Sequence, residues 1–272
     1  ANATGTATIP APSPLPRGHI VLAVARLDDL APLIGTKLTG AFRATLDGED
    51  AGGKPVAKLH AQLDGLAADN ARVGQAVLDA TVLQPTDRPS VTAKLSIRGV
   101  DADGITGNAE LAADGPSSAL GLRLSSDLAA AQGPARLSAR ATADLVQKSL
   151  RLTSFRADYA GESARLSAPA RFALADGLAV DRLQLGIGSA TLTAAGRVSP
   201  ALDLKLSARN VGPALAKPFL PPSLAAEGVL ALDAALRGTP AAPEGYIRLN
   251  GRALRLDNDA GRGLPAADVD AR

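Results

Sequence analysis

Strict alternation between apolar and polar residues, clearest over positions 201–256, constrains the fold of this chain more than any other feature. Leu202, Leu204 and Leu206 alternate with charged and hydroxyl-bearing residues. Because successive side chains of an extended chain point to opposite faces, this spacing predicts a strand with one apolar and one polar face. Similar runs, separated by glycine, recur along almost the whole sequence, so one-sided strands are predicted throughout.

The composition favours a thin sheet over a compact core. Apolar residues make up 46% of the 272 residues, but aromatic residues make up only 2%, and Trp, Met and Cys are absent. A compact core of this size ordinarily uses more large aromatic side chains. We count roughly 16 alternating runs joined by Gly-, Asp- and Pro-rich turns. The predicted fold class is all-β: an elongated, twisted, mainly antiparallel sheet with a few short helical turns.

The sequence predicts three regions. Residues 1–17 are rich in Pro, Ala and Thr and are expected to form a linker or edge segment. Residues 18–198 are predicted to be a repetitive β-sheet region, in which Asp28 caps a short helical turn over 31–34. Residues 199–272 are predicted to continue the sheet as a further repeat. Because the sequence starts without Met or a signal-peptide pattern, we expect a fragment of a longer protein.

Clusters of Gly, Asp and Pro predict antiparallel turns over 47–55, 83–89 and 112–118. The segments Asp101–Gly104 and Asp257–Gly261 have some likeness to calcium loops. They lack ligands at the later positions of such a loop, so ordinary turns are the better interpretation.

Chemical motifs are scarce. His19 and His60 are the only histidines, each lies in a strand-like stretch, and neither has a second ligand at metal spacing. The 29 basic and 27 acidic residues are spread evenly and give a net charge of +2, so no basic block predicts a nucleic-acid partner. We therefore expect no metal site, no cofactor and no enzymatic activity.

A long one-sided sheet needs a cover for its apolar face. A second sheet, closure into a barrel, or an apolar ligand held in a trough would each provide one. The alternating positions that are candidates to line such a groove are Leu120, Leu122, Leu124, Leu183, Leu185, Ile187, Leu202, Leu204, Leu206, Leu230, Leu232, Ile247 and Leu249. The sequence leaves open whether these residues line a groove or form a closed core.

The run LDLKLSARNVGPALAKPFLPPSLAAEGVLALDAALRGTPAAPEGYIRL at 202–249 resembles the repeats of the TamB family, in the wider AsmA-like group. A second, poorer copy lies at 24–48, and the resemblance extends over most of 18–256. It implies a β-taco, a long sheet folded into a hydrophobic groove, in a periplasmic protein anchored in the inner membrane of a Gram-negative bacterium. It also implies a role in outer-membrane biogenesis, with phospholipid acyl chains or unfolded outer-membrane client strands as cargo and a TamA-like outer-membrane barrel as partner.

A repetitive β-helix of an adhesin or passenger-like surface protein is the alternative interpretation. Such folds also use short strands and glycine turns, but they favour Asn, Thr and Gly ladders with a regular coil length. The abundant Arg and the irregular spacing of this chain argue against that alternative.

Overall fold

The computed structural model describes residues 2–8, 17–30, 38–68, 70–212, 215, 225–257 and 267–271. The chain divides into two compact units, residues 1–146 and residues 147–272, called unit 1 and unit 2 below. Strands dominate both units, and the strand pairs within each unit are antiparallel. The predicted boundary at 198/199 falls inside unit 2, because two strands of the same sheet pair directly across it.

Unit 1 is a meander of nine strands. They are β1 (Asn2–Thr8), β2 (Arg17–Val24), β3 (Thr39–Ala51), β4 (Lys54–Ala68), β5 (Ala71–Leu83), β6 (Ser90–Ala102), β7 (Ile105–Pro116), β8 (Leu120–Ala130) and β9 (Gly133–Asp144). Each strand pairs with the next one along the chain. One turn of 3₁₀ helix, Leu27–Leu30, follows β2 and packs on β3.

Unit 2 is also a meander, with one irregularity near its start. Its strands are β10 (Ser149–Tyr159), β11 (Glu162–Leu166), β12 (Ala170–Ala173), β13 (Ala179–Ile187), β14 (Ala190–Arg197), β15 (Leu202–Val211), β16 (Ala225–Thr239), β17 (Ala242–Asp257) and β18 (Ala267–Ala271). The short strands β11 and β12 both pair with β10 and with β13, so together they occupy one position in the sheet.

The strand register separates apolar from polar side chains. In unit 1 a continuous row of directly opposed residues crosses β2 to β9 and contains Leu22, Ala44, Ala61, Leu78, Leu95, Leu111, Leu124 and Ala139. In unit 2 a corresponding row crosses β11 and β13 to β17 and contains Leu166, Leu185, Leu192, Ala208, Leu232 and Leu249. These rows define the apolar face of each unit, and residues one position along each strand define the polar face.

Cross-strand pairs of hydrogen-bonding and charged side chains lie along the polar face of unit 1. His19 faces Asp47 with 2.5 Å between Nδ1 and Oδ1, and His60 faces Asp79 at 2.7 Å. Lys58 pairs with Glu49, whose hydrogen bond raises the pKa of the lysine ammonium. Pairs as exposed as these contribute little to stability, because water and salt screen their charges. Their main consequence is that this face is well solvated.

Little of the apolar face is fully buried. The buried apolar residues of unit 1 are Val24, Leu27, Val56, Leu120 and Ala143, and they lie near strand ends or in the 3₁₀ turn. No large side chain among the described residues is fully buried. Most leucines of the apolar rows are half-buried, so they keep part of their surface in contact with water.

The predicted all-β, mainly antiparallel fold is confirmed. The turn predicted over 47–55 is too long, because β3 and β4 extend into it and leave only Gly52 and Gly53 between them. Both glycines have positive φ, +62° and +80°, as a two-residue hairpin turn with the correct twist requires. The turn predicted over 112–118 is also too long, because β7 continues to Pro116. The turn predicted at Asp101–Gly104 is confirmed, since Asp103 and Gly104 form a two-residue turn between β6 and β7.

Two predictions concern other local structure. Residues 2–8 of the expected linker or edge segment form β1, which pairs with β2. The helical turn predicted over 31–34 lies outside the described residues, as do most of 211–224 and all of 258–261; the 3₁₀ turn that the structure describes is one turn earlier, at Leu27–Leu30.

Candidate functional site

The apolar face of unit 1 carries three of the predicted lining residues. Leu120, Leu122 and Leu124 lie on the same side of β8, opposite Ala143, Ala141 and Ala139 of β9. Leu120 is buried, and Leu122 and Leu124 are half-buried. The alternation in β8 therefore places these three leucines side by side, as the sequence predicted.

The apolar face of unit 2 carries the other predicted lining residues. Direct cross-strand pairing or alternation within a strand places them on one face: Leu183, Leu185, Ile187, Leu202, Leu204, Leu206, Leu230, Leu232, Ile247 and Leu249. They differ in exposure: Leu202 is buried, whereas Ile247 is 55% exposed. Whether they line a groove stays a prediction, but their common face is a property of the fold.

The sequence-based choice of lining residues omitted the centre of unit 1. Leu59, Leu78, Leu95 and Leu111 lie on the same face as Leu124, on β4 to β7. The signal was present, since each of these residues belongs to an alternating run. Near the other end of the row, Ile20, Leu22 and Leu46 are about 40% exposed, so the apolar face is accessible there.

The chemistry of the apolar face is uniform. Its rows consist almost entirely of Leu, Ala, Val and Ile, with Ser126 as an exception on β8. A surface of this kind offers dispersion contacts and removal of water, but its side chains offer almost no hydrogen-bond donors or acceptors. It therefore fits an aliphatic occupant that needs no directional contacts.

A second feature of unit 2 was not predicted from the sequence. A depression of about 460 Å³ opens on the polar face, where β13 to β17 run side by side. The polar-face residues that line it are Arg182, Gln184, Thr193, Ala195, Lys205, Ser207, Asp233, Ala235, Tyr246 and Arg248. We call it the cationic depression, because three of its four charged side chains are basic.

The register explains why a depression forms at this place. Ala195, Lys205, Ala235 and Tyr246 form one row of opposed residues across β14 to β17. Because the alanine side chains are short, the surface of the sheet is recessed on both sides of Lys205. The neighbouring row places Thr193, Ser207, Asp233 and Arg248 opposite one another, and the Thr193 and Ser207 hydroxyls share a hydrogen bond of 2.7 Å.

The one carboxylate of the cationic depression is already occupied. Arg209 donates from both terminal nitrogens to Asp233, at 2.9 Å and 2.7 Å, and this hydrogen bonding raises the pKa of the guanidinium. Arg248 lies directly opposite Asp233 on β17, yet its buried Nε has no hydrogen-bond partner among the described residues. Among the described residues, Asp233 thus pairs with Arg209 and makes no ion pair with Arg248.

A smaller depression of about 330 Å³ lies on the polar face of unit 1. Its polar lining consists of Arg43, Gln62 and Asp64, and the apolar residues Ala23, Val24, Ala25, Ala41 and Phe42 complete it. Gln62 donates to both oxygens of Asp64, at 2.9 Å and 2.8 Å. Because one cation here accompanies one carboxylate, this depression has no excess of either charge.

The two histidines lie on the exposed polar face of unit 1, each paired with an aspartate of the adjacent strand. Neither histidine lines one of the two depressions. Within the described ranges, no three His, Asp or Glu side chains form a group that could hold a metal ion.

No helix among the described residues has the length and apolar character needed to span a membrane. Searches with protein-family models, curated proteins and solved structures find no match to this chain.

Proposed function

We propose that this chain is a non-enzymatic lipid-holding segment whose apolar faces shelter phospholipid acyl chains from water. The observation that carries the proposal is the continuous apolar row of unit 1, which crosses eight strands without a fully buried large side chain among the described residues. An aliphatic face that stays partly exposed over this extent is costly in water, since each methylene that becomes buried contributes about 0.8 kcal/mol.

The chemistry of the face favours acyl chains over unfolded client strands. A client strand brings backbone N–H and C=O groups, which cost free energy when they are removed from water without partners. The side chains along the apolar rows offer almost no such partner. An acyl chain has only methylene and methyl groups, so contact with the face satisfies it completely.

The setting that we propose follows from the resemblance of residues 202–249 to TamB repeats. In that setting the chain is part of a periplasmic protein anchored in the inner membrane of a Gram-negative bacterium, and it helps phospholipid to cross between the two membranes. A TamA-like outer-membrane barrel would be the partner of the full-length protein. Assistance to outer-membrane protein assembly is the second role that this setting allows.

The antiparallel meander removes the structural basis of the alternative interpretation. In a parallel β-helix, strands of successive coils pair in parallel, whereas each consecutive pair of strands in unit 1 is antiparallel. The structure therefore does not support an adhesin or passenger-like β-helix.

The absence of cysteine makes a direct test possible. Single cysteines at positions 122, 123, 124 and 125 would carry a bimane label, and a fatty acid with a nitroxide on its chain would be added below its micellar concentration. We expect quenching at 122 and 124 and little at 123 and 125, because alternate positions share a face. Equal quenching at all four positions, or none, would contradict the proposal.

A further inference from the structure

We propose that the cationic depression of unit 2 is a binding site for a phosphate group carried by a small, polyhydroxylated molecule such as a sugar phosphate. This inference is separate from the proposed lipid function, because every charged or polar side chain that lines the depression lies on the polar face; of the proposed acyl-chain lining residues, Leu206 also borders it. It rests on the charge, the register and the hydrogen-bonding state of the residues around the depression.

The described lining of the cationic depression has an excess of positive charge. Arg182, Lys205 and Arg248 border the depression, and their side chains make no ion pair among the described residues. Asp233 is engaged by Arg209 from outside this set. The depression therefore presents three cations that form no ion pair with a carboxylate among the described residues. On the polar face of unit 1, by contrast, many of the basic side chains are paired with a carboxylate.

These three cations border the same depression, on strands that alternate across it. Lys205 on β15 is separated by one strand from Arg182 on β13 and by one strand from Arg248 on β17. Strands separated in this way lie about 10 Å apart, so Arg182 and Arg248 start about 19 Å from each other. A single phosphate near Lys205 is therefore within reach of both arginines only when their side chains extend along the sheet toward Lys205, whose directly opposed neighbours are alanines. A tetrahedral dianion matches two guanidinium forks and an ammonium group well.

The depression also has room for the rest of the ligand. A volume of about 460 Å³ is larger than a phosphate ion requires. Gln184, Thr193 and Ser207 supply amide and hydroxyl groups along one row. Tyr246 is 56% exposed beside Arg248, and its ring offers a flat surface with a polar end. Such a lining suits a molecule with several hydroxyl groups better than an aliphatic one.

Arg248 also carries an unsatisfied donor. Arg248 Nε is buried without a hydrogen-bond partner in the part of the chain that the structure describes. Buried donors without partners are rare and unfavourable, and in native proteins they call for an explanation. Because Nε itself is buried and Arg248 as a whole is half-buried, a bound anion would pair with the terminal nitrogens of this guanidinium.

The experiment is a titration of the complete chain with glucose 6-phosphate, inorganic phosphate and glucose, followed by calorimetry and by backbone amide shifts. We expect glucose 6-phosphate to bind more tightly than inorganic phosphate, glucose to bind undetectably, and the shifts to concentrate on β13 to β17. Equal binding of both phosphates would overturn the sugar part of the proposal. Absence of shifts on these strands at millimolar concentrations would overturn all of it, and this result needs no variant.

Matched variants sharpen the result. Arg248→Gln and Lys205→Gln should each lower the affinity for glucose 6-phosphate by about tenfold or more, since hydrogen bonds to charged groups are among the strongest. Arg151→Gln removes the same charge from an exposed position of β10, outside the depression, and should leave the affinity unchanged. An equal loss in Arg151→Gln would mean that only the net charge matters. Fatty-acid quenching on the apolar face should not change in any of these variants.

Discussion

Leu111 of β7 lies directly opposite Leu124 of β8 on the apolar face, while the next residues, Ala112 and Arg123, lie opposite each other on the polar face. A shift of one position along the same two strands thus moves from an aliphatic contact to a solvated charge. Because side chains alternate with a period of two, this contrast extends through the whole row from Leu22 to Ala139.

An aspartate at position 124 should therefore lower the free energy of unfolding far more than an aspartate at position 123. Leu124→Asp places a carboxylate among half-buried leucines and should lower the free energy of unfolding by about 2–3 kcal/mol. Arg123→Asp should leave it unchanged or slightly raise it, because Arg123 directly opposes Arg140, a like charge. Urea unfolding followed by circular dichroism measures both, and equal losses would contradict the assignment of faces.

Gly196 should tolerate no side chain. Its φ is +124°, and an added Cβ would overlap the carbonyl oxygen of Asp203 on the neighbouring strand. Gly196→Ala should therefore cost about 2 kcal/mol or more. Gly212→Ala is the matched change in the same unit, because no described residue lies within 4 Å of its added Cβ and its φ is not positive. We expect that change to be neutral or to stabilise by about 0.4–1 kcal/mol.

Thermal unfolding of the two alanine variants provides the measurement. The prediction requires a clear drop in Tm for Gly196→Ala and none for Gly212→Ala. A similar response of both variants would show that the close approach of β14 and β15 at Gly196 does not limit the fold.

Acid should remove a specific contribution from unit 2. Arg156 donates to both oxygens of Asp158, at 2.7 Å and 2.9 Å, and these hydrogen bonds hold the pKa of Asp158 below its usual range. A carboxyl group whose pKa is lower in the folded state stabilises the fold above its unfolded pKa of about 3.9, and this contribution disappears as the pH falls through the folded value.

The comparison of wild type with Asp158→Asn isolates that contribution. We expect wild type to be the more stable at pH 7, and the difference to shrink and then vanish as the pH falls through the lowered pKa of Asp158. Asp176→Asn makes the same change of charge at an exposed turn position of the same unit and serves as the matched variant. A stability difference for Asp158→Asn that is the same at pH 2 and pH 7 would argue against a role for the carboxylate charge.

Asp233 and Arg209 should influence the cationic depression in opposite directions. Asp233→Asn removes the only carboxylate among the described residues that line the depression and should strengthen glucose 6-phosphate binding. Arg209→Gln frees Asp233 to neutralise Arg248, which lies directly opposite, and should weaken it. Each change should cost less than about 1 kcal/mol of stability, because the ion pair is partly exposed. Calorimetric titration decides the signs, and a shift in the same direction for both variants would refute the coupling.

The sequence predicts the faces of this fold well because alternation is a local property. Leu120, Leu122 and Leu124 needed only their own spacing to be placed on one side of a strand. The ends of the strands were harder to predict. Strands β3 and β4 continue through Asp50 and Lys54 because the two strands pair with each other there, and the sequence of either strand alone does not indicate that pairing. The cationic depression was missed for the same reason: Arg182, Lys205 and Arg248 are distant in sequence, and only the register of five strands brings them to one place.

The central claim, that the apolar faces hold acyl chains, is tested most directly by native mass spectrometry with lipid extraction on the chain isolated from bacterial periplasm. The double variant Leu204→Asp with Leu232→Asp charges the apolar face of unit 2, and Arg237→Asp makes the same change in net charge at an exposed position. We predict co-purifying phospholipid with wild type and Arg237→Asp, and a marked loss of it with the double variant. A folded, lipid-free wild-type chain, or equal lipid in all three proteins, would contradict the claim.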